Sequence, residues 1–290
     1  MRLKDCKVGL YEKALPGRLT WRQKIREAKK SGYDFIELSV DETDERLVRV
    51  EAGSVEGKQI LEAVHQEKFP LLTMCLSGNR RFPIGSEDGS IRCRGIRLIR
   101  DAVDFAVAAG IRVVQLAGYD EYYRPRGRNT EERFYEALME VAGYAACRAV
   151  TLAVENVDTD FMDTVSKIKK YTDKVGSPWL KIYADIANLT ATGVTRQELY
   201  DDIENAYDSI IAWHVKDGRL NVIRDTPYGE GIVDFKLFFE YLAKKRYTGL
   251  FVMEMWSDQT EESIAYTKTA RDFLERQVGE ASARQGLAAR

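Results

Sequence analysis

Short apolar runs alternate with longer segments of helical periodicity along almost the whole chain. The short runs are bounded by glycine, proline or charged residues, which is typical of buried parallel strands. Eight such runs are present, at residues 8–12, 34–40, 71–78, 113–119, 151–155, 180–186, 210–217 and 250–256. The segments with helical spacing of apolar residues follow them, at residues 21–31, 55–67, 91–109, 130–148, 162–175, 195–207, 235–245 and 261–276.

A strand followed by a helix, repeated eight times, predicts an α/β fold of the (β/α)8 TIM-barrel type. No linker or shift in composition divides the chain, so we expect one barrel domain over residues 1–278. Residues 279–290 lack an apolar face, and we expect them to form a flexible tail. An open doubly wound sheet is the alternative fold, but no G-x-G-x-x-G motif follows the first strand.

Four residues with metal-ligand chemistry end four successive strands. They are Glu155, Asp185, His214 and Glu254, at or near the ends of the fifth to eighth strands. In a closed barrel these strand ends meet in one site. Three carboxylates and one imidazole suit a divalent ion, with Mn²⁺ as first choice and Mg²⁺, Co²⁺ or Zn²⁺ as alternatives. Taken singly, each residue could instead cap a loop or pair with an arginine.

Three further polar residues are expected on the same face of the barrel. Glu12, Glu37 and Gln115 belong to the first, second and fourth strands. Any of them could orient a substrate hydroxyl or hold the histidine in place. An ion pair with Lys13 or Arg112 is an equally good explanation for the two acids.

Several residues near the strand ends could have either a structural or a substrate-binding role. Asn188 follows the sixth strand and could donate to a substrate or cap the next turn. Trp213 and Trp256 flank the predicted site, and either could stack on the face of a sugar.

Two further segments contain candidate helix N-caps. Gly229 and Gly231 resemble a nucleotide-binding loop, but a turn leading to Asp234 as a helix N-cap explains them more simply. Thr130 is the candidate N-cap of the fifth long helix.

The composition narrows the classes of partner. The chain has 290 residues and a net charge of -2, which gives no electrostatic case for binding nucleic acid or an anionic membrane. No apolar run reaches transmembrane length, and the first residues lack the apolar core of a signal peptide. The four cysteines are scattered, so we expect free thiols and a cytoplasmic protein.

Eight motifs together resemble the L-ribulose-5-phosphate 3-epimerases of the xylose-isomerase-like barrel superfamily, which act in L-ascorbate degradation. The resemblance covers essentially the whole chain. It is carried by Gly-Leu-Tyr-Glu-Lys-Ala-Leu-Pro16, Ser39-Val-Asp-Glu-Thr-Asp-Glu-Arg46, Arg80-Arg-Phe-Pro-Ile-Gly-Ser-Glu-Asp88, Gln115-Leu-Ala-Gly-Tyr119, Tyr183-Ala-Asp-Ile-Ala-Asn-Leu189, His214-Val-Lys-Asp217, Gly229-Glu-Gly-Ile-Val-Asp-Phe235 and Glu254-Met-Trp256.

This resemblance implies a metal-dependent 3-epimerase that interconverts L-xylulose 5-phosphate and L-ribulose 5-phosphate. The residues matching the family's ligands are Glu155, Asp185, His214 and Glu254, the same four chosen from the strand ends. The metal would bind the C2 and C3 oxygens of the substrate and stabilise a cis-enediolate. The two glutamates would act as acid and base on opposite faces of C3.

The resemblance also implies a ketopentose phosphate as the small-molecule partner, a homodimer, and no need for a redox cofactor. A phosphate needs cationic donors or amides, and the candidates are Lys13, Arg80, Arg81, Lys216 and Arg219. The chain departs from close members of the family at Asn79, where they carry a histidine, and in the run after Asp217. Both departures lie at the substrate end of the predicted site, so the metal site is more firmly predicted than the substrate.

Other functions remain open at this point. A 3-epimerase of free ketoses, of the D-tagatose or D-psicose type, would use the same metal and glutamates but would not need Arg80 and Arg81. Hydroxypyruvate isomerases share the enediolate chemistry. Endonuclease IV shares the barrel, but its histidine-rich metal site does not fit a chain with two histidines. A catalytically silent sugar-phosphate-binding protein is the alternative outside enzymes.

Overall fold

The computed structural model describes residues 3–285 and arranges the strands as one closed parallel barrel, in agreement with the predicted (β/α)8 fold. Each strand is hydrogen-bonded to the next one in the chain, and the eighth closes against the first. The strands are β1 Lys7–Tyr11, β2 Phe35–Ser39, β3 Leu71–Leu76, β4 Val113–Ala117, β5 Thr151–Glu155, β6 Leu180–Asp185, β7 Ile210–Val215 and β8 Leu250–Met253.

Helices follow the strands and surround the barrel. They are α1 Trp21–Lys30, α2 Asp44–Leu47, α3 Val55–Glu67, α4 Gly89–Ala109, α5 Thr130–Ala146, α6 Val165–Val175, α7 Ile186–Ala191, α8 Arg196–Ala206, α9 Phe235–Lys244 and α10 Glu261–Arg284. The two shortest helices, α2 and α7, have too few turns to show a helical period in the sequence. No helix among residues 3–285 is long and apolar enough to cross a membrane.

Side-chain caps fix where several helices begin. Asp234 accepts a hydrogen bond from the Leu237 amide and is the N-cap of α9, as predicted. The N-cap prediction at Thr130 was wrong by one residue, because Asn129 occupies that position. The Thr130 hydroxyl instead donates to the carbonyl of Gly127, which ties the first turn of α5 to the preceding loop.

The last helix is longer than its apolar pattern predicts. It continues past Val278 to Arg284, and Ala281 and Ser282 are buried. These small residues lie three and four positions after Val278 and extend its buried face. The predicted start of the tail at residue 279 was therefore too early. The remainder of that tail, residues 286–290, lies outside the described residues.

Two apolar cores stabilise the barrel. The larger core lies between the strands and the helices, and the smaller core fills the inside of the barrel. Gly9 leaves room for the ring of Phe35 in the inner core, since a Cβ at Gly9 would lie 2.3 Å from that ring. The inner core fills the lower part of the barrel, so the polar side chains collect at the carboxyl ends of the strands. The inner core consists of Tyr11, Phe35, Cys75, Val113, Ala153, Tyr183, Ala212 and Val252.

Candidate active site

Four potential metal ligands converge at the carboxyl end of the barrel. Glu155 and Asp185 are the last residues of β5 and β6, His214 lies near the end of β7, and Glu254 directly follows β8. The backbones of Asp185 and His214 are paired in register across β6 and β7. One ligand atom from each of the four side chains lies within 4.8 Å of the others, and all four side chains are buried. The strand ends therefore bring this set together as the sequence predicts.

The charges around the cluster suit a divalent cation. Lys216 Nζ lies 2.5 Å from Asp185 Oδ2 and 2.7 Å from Glu254 Oε2. His214 Nδ1 lies 2.6 Å from Glu155 Oε1. With Glu37 behind the imidazole, four carboxyl groups face one ammonium and one imidazole, so acidic groups outnumber basic groups by four to two.

The orientation of Asp185 also fits a metal ligand. Its Oδ1 accepts hydrogen bonds from the amides of Ala187 and Asn188 and so caps α7. Its Oδ2 contacts the Lys216 ammonium but receives no hydrogen bond of good geometry within the described part of the chain. The ammonium already lies against this buried oxygen and balances part of its charge. The donor set and this oxygen together fit a divalent ion with oxygen and imidazole ligands.

Proton affinities in the cluster differ strongly between neighbouring groups. Burial lowers the pKa of His214, but the nearby carboxylates of Glu37, Glu254 and Glu155 outweigh it and raise that pKa well above 6.5. Burial raises the pKa of Asp185 to about 7, although Lys216 opposes the rise. Glu254 is buried as well, but Lys216 and His214 lower its pKa to about 2. The ammonium lies against both carboxyl groups, so Asp185 and Glu254 share one counterion.

Glu37 lies behind His214 rather than at the mouth of the barrel. Its Oε2 is 2.7 Å from His214 Nε2, and its Oε1 accepts a hydrogen bond of 2.8 Å from the Tyr183 hydroxyl. The rings of Tyr183 and Tyr11 lie beside the imidazole, with centroids 4.6 and 6.3 Å from it. Of the two roles predicted for Glu37, the contact with the histidine is the one that the structure shows.

Two amide side chains hold the ligands from behind. Gln115 donates to Glu155 Oε2, which extends the contact between Glu155 and His214. Asn156 exchanges two hydrogen bonds with the backbone of Asp185, one from each residue, at 3.0 and 2.7 Å. Asn156 was not among the predicted site residues, although its position directly after the strand-end Glu155 could have indicated it.

A small cavity opens from the cluster toward solvent. Asn188 lies on its wall, where its Nδ2 donates to the carbonyl of Asn156, so that its Oδ1 is left as a buried acceptor without a hydrogen-bond donor among residues 3–285. Trp256 lies on another wall. The side chains lining this cavity include Tyr11, Lys13, Cys75, Ser77, Arg80, Tyr119, Glu155, Asn188, Lys216, Arg224, Glu254 and Trp256.

Arg80 lies on the cavity wall and forms few contacts that would compete with a phosphate. Its Nε donates to the carbonyl of Ser77, and its guanidinium lies 5.9 and 5.4 Å from the ring centroids of Tyr119 and Tyr122. Within residues 3–285, no carboxylate forms an ion pair with it. The neighbouring Asn79 is buried, and its Nδ2 donates to the carbonyl of Ala117, so it braces the turn that carries Arg80.

The structure assigns the other phosphate candidates to different places. Lys13 lines the cavity, but its ammonium pairs with Asp41 at 2.5 Å. Arg81 turns outward and pairs with Asp44 at 2.6 Å. Arg219 lies in an exposed turn, where its backbone forms a bridge with Val222.

Comparisons with known proteins agree with this geometry. The family model described as xylose isomerase-like TIM barrel matches residues 25–277. The chain belongs to the xylose isomerase-like TIM-barrel family. L-ribulose-5-phosphate 3-epimerase UlaE from Escherichia coli (strain SE11) is 40% identical over 281 residues, which are 97% of this chain and 98% of that protein. The protein of the same name from Shigella sonnei (strain Ss046) is also 40% identical over 281 residues, with the same coverage.

Solved structures with much lower identity share the fold. The structure of L-ribulose 3-epimerase has a TM-score of 0.76 at 18% identity and covers 98% of both chains. The D-allulose 3-epimerase from Methylomonas sp. in complex with D-allulose has a TM-score of 0.75 at 20% identity, covering 94% of this chain and 97% of that one. At these identities the likeness shows the barrel fold of the family and no more.

Glu12 was predicted, like Glu37, to face the site, but it does not line the cavity. It is fully buried and binds Lys24 at 2.8 Å, Arg46 at 2.9 Å and Arg49 at 2.8 Å. An ion pair was one of the two predicted explanations, but the predicted partner Lys13 was wrong. The cations come from α1 and from the segment around α2, which are near Glu12 only in the folded barrel.

The prediction that Trp213 flanks the site was wrong. Its side chain is fully buried outside the barrel and packs edge-on against Phe238 of α9, with centroids 4.9 Å apart. Successive residues of a strand face opposite sides, so an inward His214 places Trp213 outward. Trp256 does line the cavity, and Arg224, which the sequence analysis missed, lies 5.2 Å from its ring.

The backbone amides of the glycines after β7 bind the carboxylate of Asp217. Asp217 Oδ2 accepts hydrogen bonds from the amides of Gly229 and Gly231, at 2.9 and 3.0 Å. Its Oδ1 accepts from the amides of Gly218 and Val233, at 2.9 and 3.3 Å. Four backbone donors on one buried side chain hold the loop between β7 and α9 in place. The interpretation of these glycines as a structural turn rather than a nucleotide-binding loop fits this arrangement.

Proposed function

We propose that the protein is a metal-dependent 3-epimerase that interconverts L-xylulose 5-phosphate and L-ribulose 5-phosphate. The observation that carries this proposal is the convergence of Glu155 and Glu254 on one buried cluster, from strands separated by two others. The two glutamates approach His214 Nδ1 at 2.6 and 3.6 Å. The curated relatives that bear the epimerase name support the substrate, and they match nearly the whole chain.

The reaction requires proton transfer on both faces of one carbon. The C3 proton of a 2-ketopentose phosphate is acidic because the C2 carbonyl stabilises the resulting cis-enediolate. One glutamate removes this proton, and the other delivers a proton from the opposite face, which inverts the centre. A single base would return the proton mainly to the face from which it came. Two carboxylates on different strands therefore suit an epimerase better than a binding protein.

The residues that would hold the metal are Glu155, Asp185, His214 and Glu254. A divalent ion, Mn²⁺ by preference and otherwise Zn²⁺, Co²⁺ or Mg²⁺, would supply positive charge next to the developing enediolate. Lys216 adds a permanent positive charge to the same wall of the cavity, because its ammonium is buried against Asp185 and Glu254.

The cavity wall supplies contacts for the rest of the substrate. Asn188 Oδ1 can accept a hydrogen bond from a sugar hydroxyl, and Trp256 offers an apolar face. Arg80 is the main phosphate ligand, because its terminal nitrogens are free of carboxylates in the described part of the chain and a guanidinium binds phosphate well. Lys13 lines the same cavity and is the second candidate.

The remaining features of the proposal come from the resemblance. We expect a homodimer that acts in the cytoplasm, in the degradation of L-ascorbate. Light scattering after size exclusion tests the dimer directly, and a mass near that of one chain would contradict it.

The deciding experiment follows proton exchange. The protein is incubated with Mn²⁺ and L-ribulose 5-phosphate in D₂O, and the C3 proton is followed by NMR. We expect loss of the C3 signal together with formation of L-xylulose 5-phosphate. Glu155→Gln and Glu254→Gln should each slow epimerisation by about 10²–10⁴-fold. Glu45→Gln, which alters an exposed glutamate far from the cluster, is the matched control and should leave the rate unchanged.

The two variants also test the division of labour between the glutamates. Each should still exchange the C3 proton of the epimer that faces its remaining glutamate, without inverting the centre. Exchange with L-ribulose but not with L-ribulose 5-phosphate would replace the proposal with a free-ketose epimerase. Absence of exchange with both substrates in a metal-loaded sample would favour a catalytically silent binding protein.

A further inference from the structure

The contacts of Glu37 leave it no free oxygen for a substrate. Its side chain is fully buried on β2, inside the barrel and below the cavity. One oxygen is 2.7 Å from His214 Nε2, and the other accepts from the Tyr183 hydroxyl at 2.8 Å. The carboxylate is therefore directed entirely at the imidazole and at the tyrosine beside it.

The two nitrogens of His214 face different surroundings. Nδ1 lies 2.6 Å from Glu155 and 3.6 Å from Glu254, so it faces the cluster. Nε2 lies 2.7 Å from Glu37 Oε2. A nitrogen that binds a metal needs its lone pair, so the proton of the neutral ring must then lie on the other nitrogen.

We propose that Glu37 is a positioning residue that keeps the His214 proton on Nε2, so that the Nδ1 lone pair is directed at the metal-ligand cluster. Tyr183 completes this arrangement by donating to the second carboxylate oxygen, which fixes the plane of the carboxylate against the ring. The inference rests on the metal-binding part of the proposed function. It adds two residues that contact neither the substrate nor the metal.

Packing supports the same assignment. Tyr183 and Tyr11 lie beside the imidazole, and all three side chains are buried, so the ring cannot swing to another acceptor. A hydrogen bond from the distant nitrogen of a ligating histidine to a carboxylate also makes the ligating nitrogen more basic. Loss of this carboxylate should therefore weaken metal binding without removing any ligand.

Metal affinity is the first readout. The dissociation constant of Mn²⁺ is measured on the intact protein from the electron paramagnetic resonance signal of free Mn²⁺. We expect Glu37→Leu to raise this constant by about 10- to 100-fold. Tyr183→Phe should raise it by about 2- to 10-fold, as expected for one lost hydrogen bond.

Two variants keep the test independent of folding. Glu37→Gln retains an oxygen for the Nε2–H donor and an amide for the tyrosine, so it should recover most of the affinity that Glu37→Leu loses. Glu12→Gln also removes a buried strand-end carboxylate, but Glu12 contacts Lys24, Arg46 and Arg49 instead of the cluster. Its folded fraction should bind Mn²⁺ with the wild-type constant.

The tautomer itself is the second readout. The chain has two histidines, His65 and His214, so a sample labelled with ¹⁵N at histidine shows only two imidazoles. In the Zn²⁺-loaded wild-type protein, we expect the proton of His214 on Nε2 and slow exchange of that proton with water. In Glu37→Leu, this exchange should become faster.

Distinct outcomes separate the two proposals. An unchanged Mn²⁺ constant in both Glu37→Leu and Tyr183→Phe, or a wild-type spectrum with the proton on Nδ1, would overturn the role of Glu37 while leaving the epimerase intact. A wild-type protein that binds no Mn²⁺, Zn²⁺ or Co²⁺ would overturn the metal-dependent function and this role with it.

Discussion

The ammonium of Lys216 lies 2.7 Å from the carboxylate of Glu254, buried at the centre of the candidate active site. The same nitrogen contacts Asp185, so one lysine neutralises part of the charge on two proposed metal ligands. Its neighbours raise the pKa of Lys216, although burial alone would lower it, and the lysine therefore stays charged. Its role is that of an internal counterion, and it is not placed to receive a phosphate far from the cluster.

This relationship predicts that Lys216 stabilises the metal-free protein more than the metal-loaded one. Lys216→Met leaves buried carboxylates without their partner, a change that costs about 3–5 kcal/mol in the free energy of unfolding. Saturating Mn²⁺ should recover most of this loss, because it supplies the missing charge. Chemical denaturation with EDTA and with Mn²⁺ measures both values. Lys13→Met, which breaks a more exposed pair with Asp41, is the control and should cost at most about 1 kcal/mol in either condition. An equal loss with and without Mn²⁺ would contradict the counterion role.

Adjacent arginines should differ sharply in their effect on substrate binding. Arg80 lines the cavity, whereas Arg81 pairs with Asp44 outside it. Arg80→Ala should raise KM for L-ribulose 5-phosphate by about 10- to 100-fold, as expected for a lost hydrogen bond to a charged group. Arg81→Ala should change KM by less than about twofold, since exposed ion pairs contribute little. Steady-state kinetics of both variants test the pair, and similar KM values would place the phosphate elsewhere.

Metal binding should release protons. The pKa of His214 lies well above 6.5, so the imidazole is protonated at neutral pH when no metal is present, and Asp185, with a pKa of about 7, is partly protonated. Both groups must lose their protons to act as ligands, so affinity falls as the pH falls. Calorimetry of Mn²⁺ binding at pH 7, in two buffers with different heats of ionisation, should show a net release of protons. Release of no proton would show that His214 is neutral before the metal binds.

The buried cluster around Glu12 predicts a specific loss of stability in acid. Burial alone would raise the pKa of Glu12, but Lys24, Arg49 and Arg46 outweigh it and hold the pKa far below its usual value. A carboxylate with a lowered pKa stabilises the fold above its unfolded pKa, about 4.3, and loses this contribution as the pH falls further.

Glu12→Gln tests this account of the cluster. It should lower the free energy of unfolding at pH 7 by about 3–5 kcal/mol, because the buried Lys24 loses its counterion and Arg46 and Arg49 each lose one of two carboxylate partners. The difference from wild type should shrink as the pH falls below about 4.3. Urea denaturation at several pH values measures it, and a difference that stays constant down to the acid unfolding limit would contradict the lowered pKa.

Periodic patterns were sufficient to predict the barrel and to bring four side chains together. The ends of β5 to β8 carry Glu155, Asp185, His214 and Glu254, and closure of the barrel brings these four strand ends together. The alternation of side chains along β7 also predicts which neighbours of His214 face the inside of the barrel. Trp213 lies one residue before the inward His214, so alternation predicts that it points outward. Lys216 lies two residues after His214, so alternation predicts that it points inward.

The contacts that the sequence did not predict join segments far apart in the chain. Glu12 meets cations from α1 and from the segment around α2, and Glu37 meets a histidine 177 positions away. Arg224 reaches the cavity from a loop without regular structure. Such pairings depend on helix packing and loop paths, which no local period encodes.

The four amides bound to Asp217 bear on how a sugar phosphate can enter this barrel. In many barrels of this type, loop amides after the seventh and eighth strands bind the phosphate of the substrate. Here an anion belonging to the chain already occupies amides of the loop after the seventh strand. These amides donate to Asp217 and are therefore not available to bind a phosphate. If the substrate is a sugar phosphate, as proposed, we expect its charged end to lie toward Lys13 and Arg80, after β1 and β3, instead of on these amides.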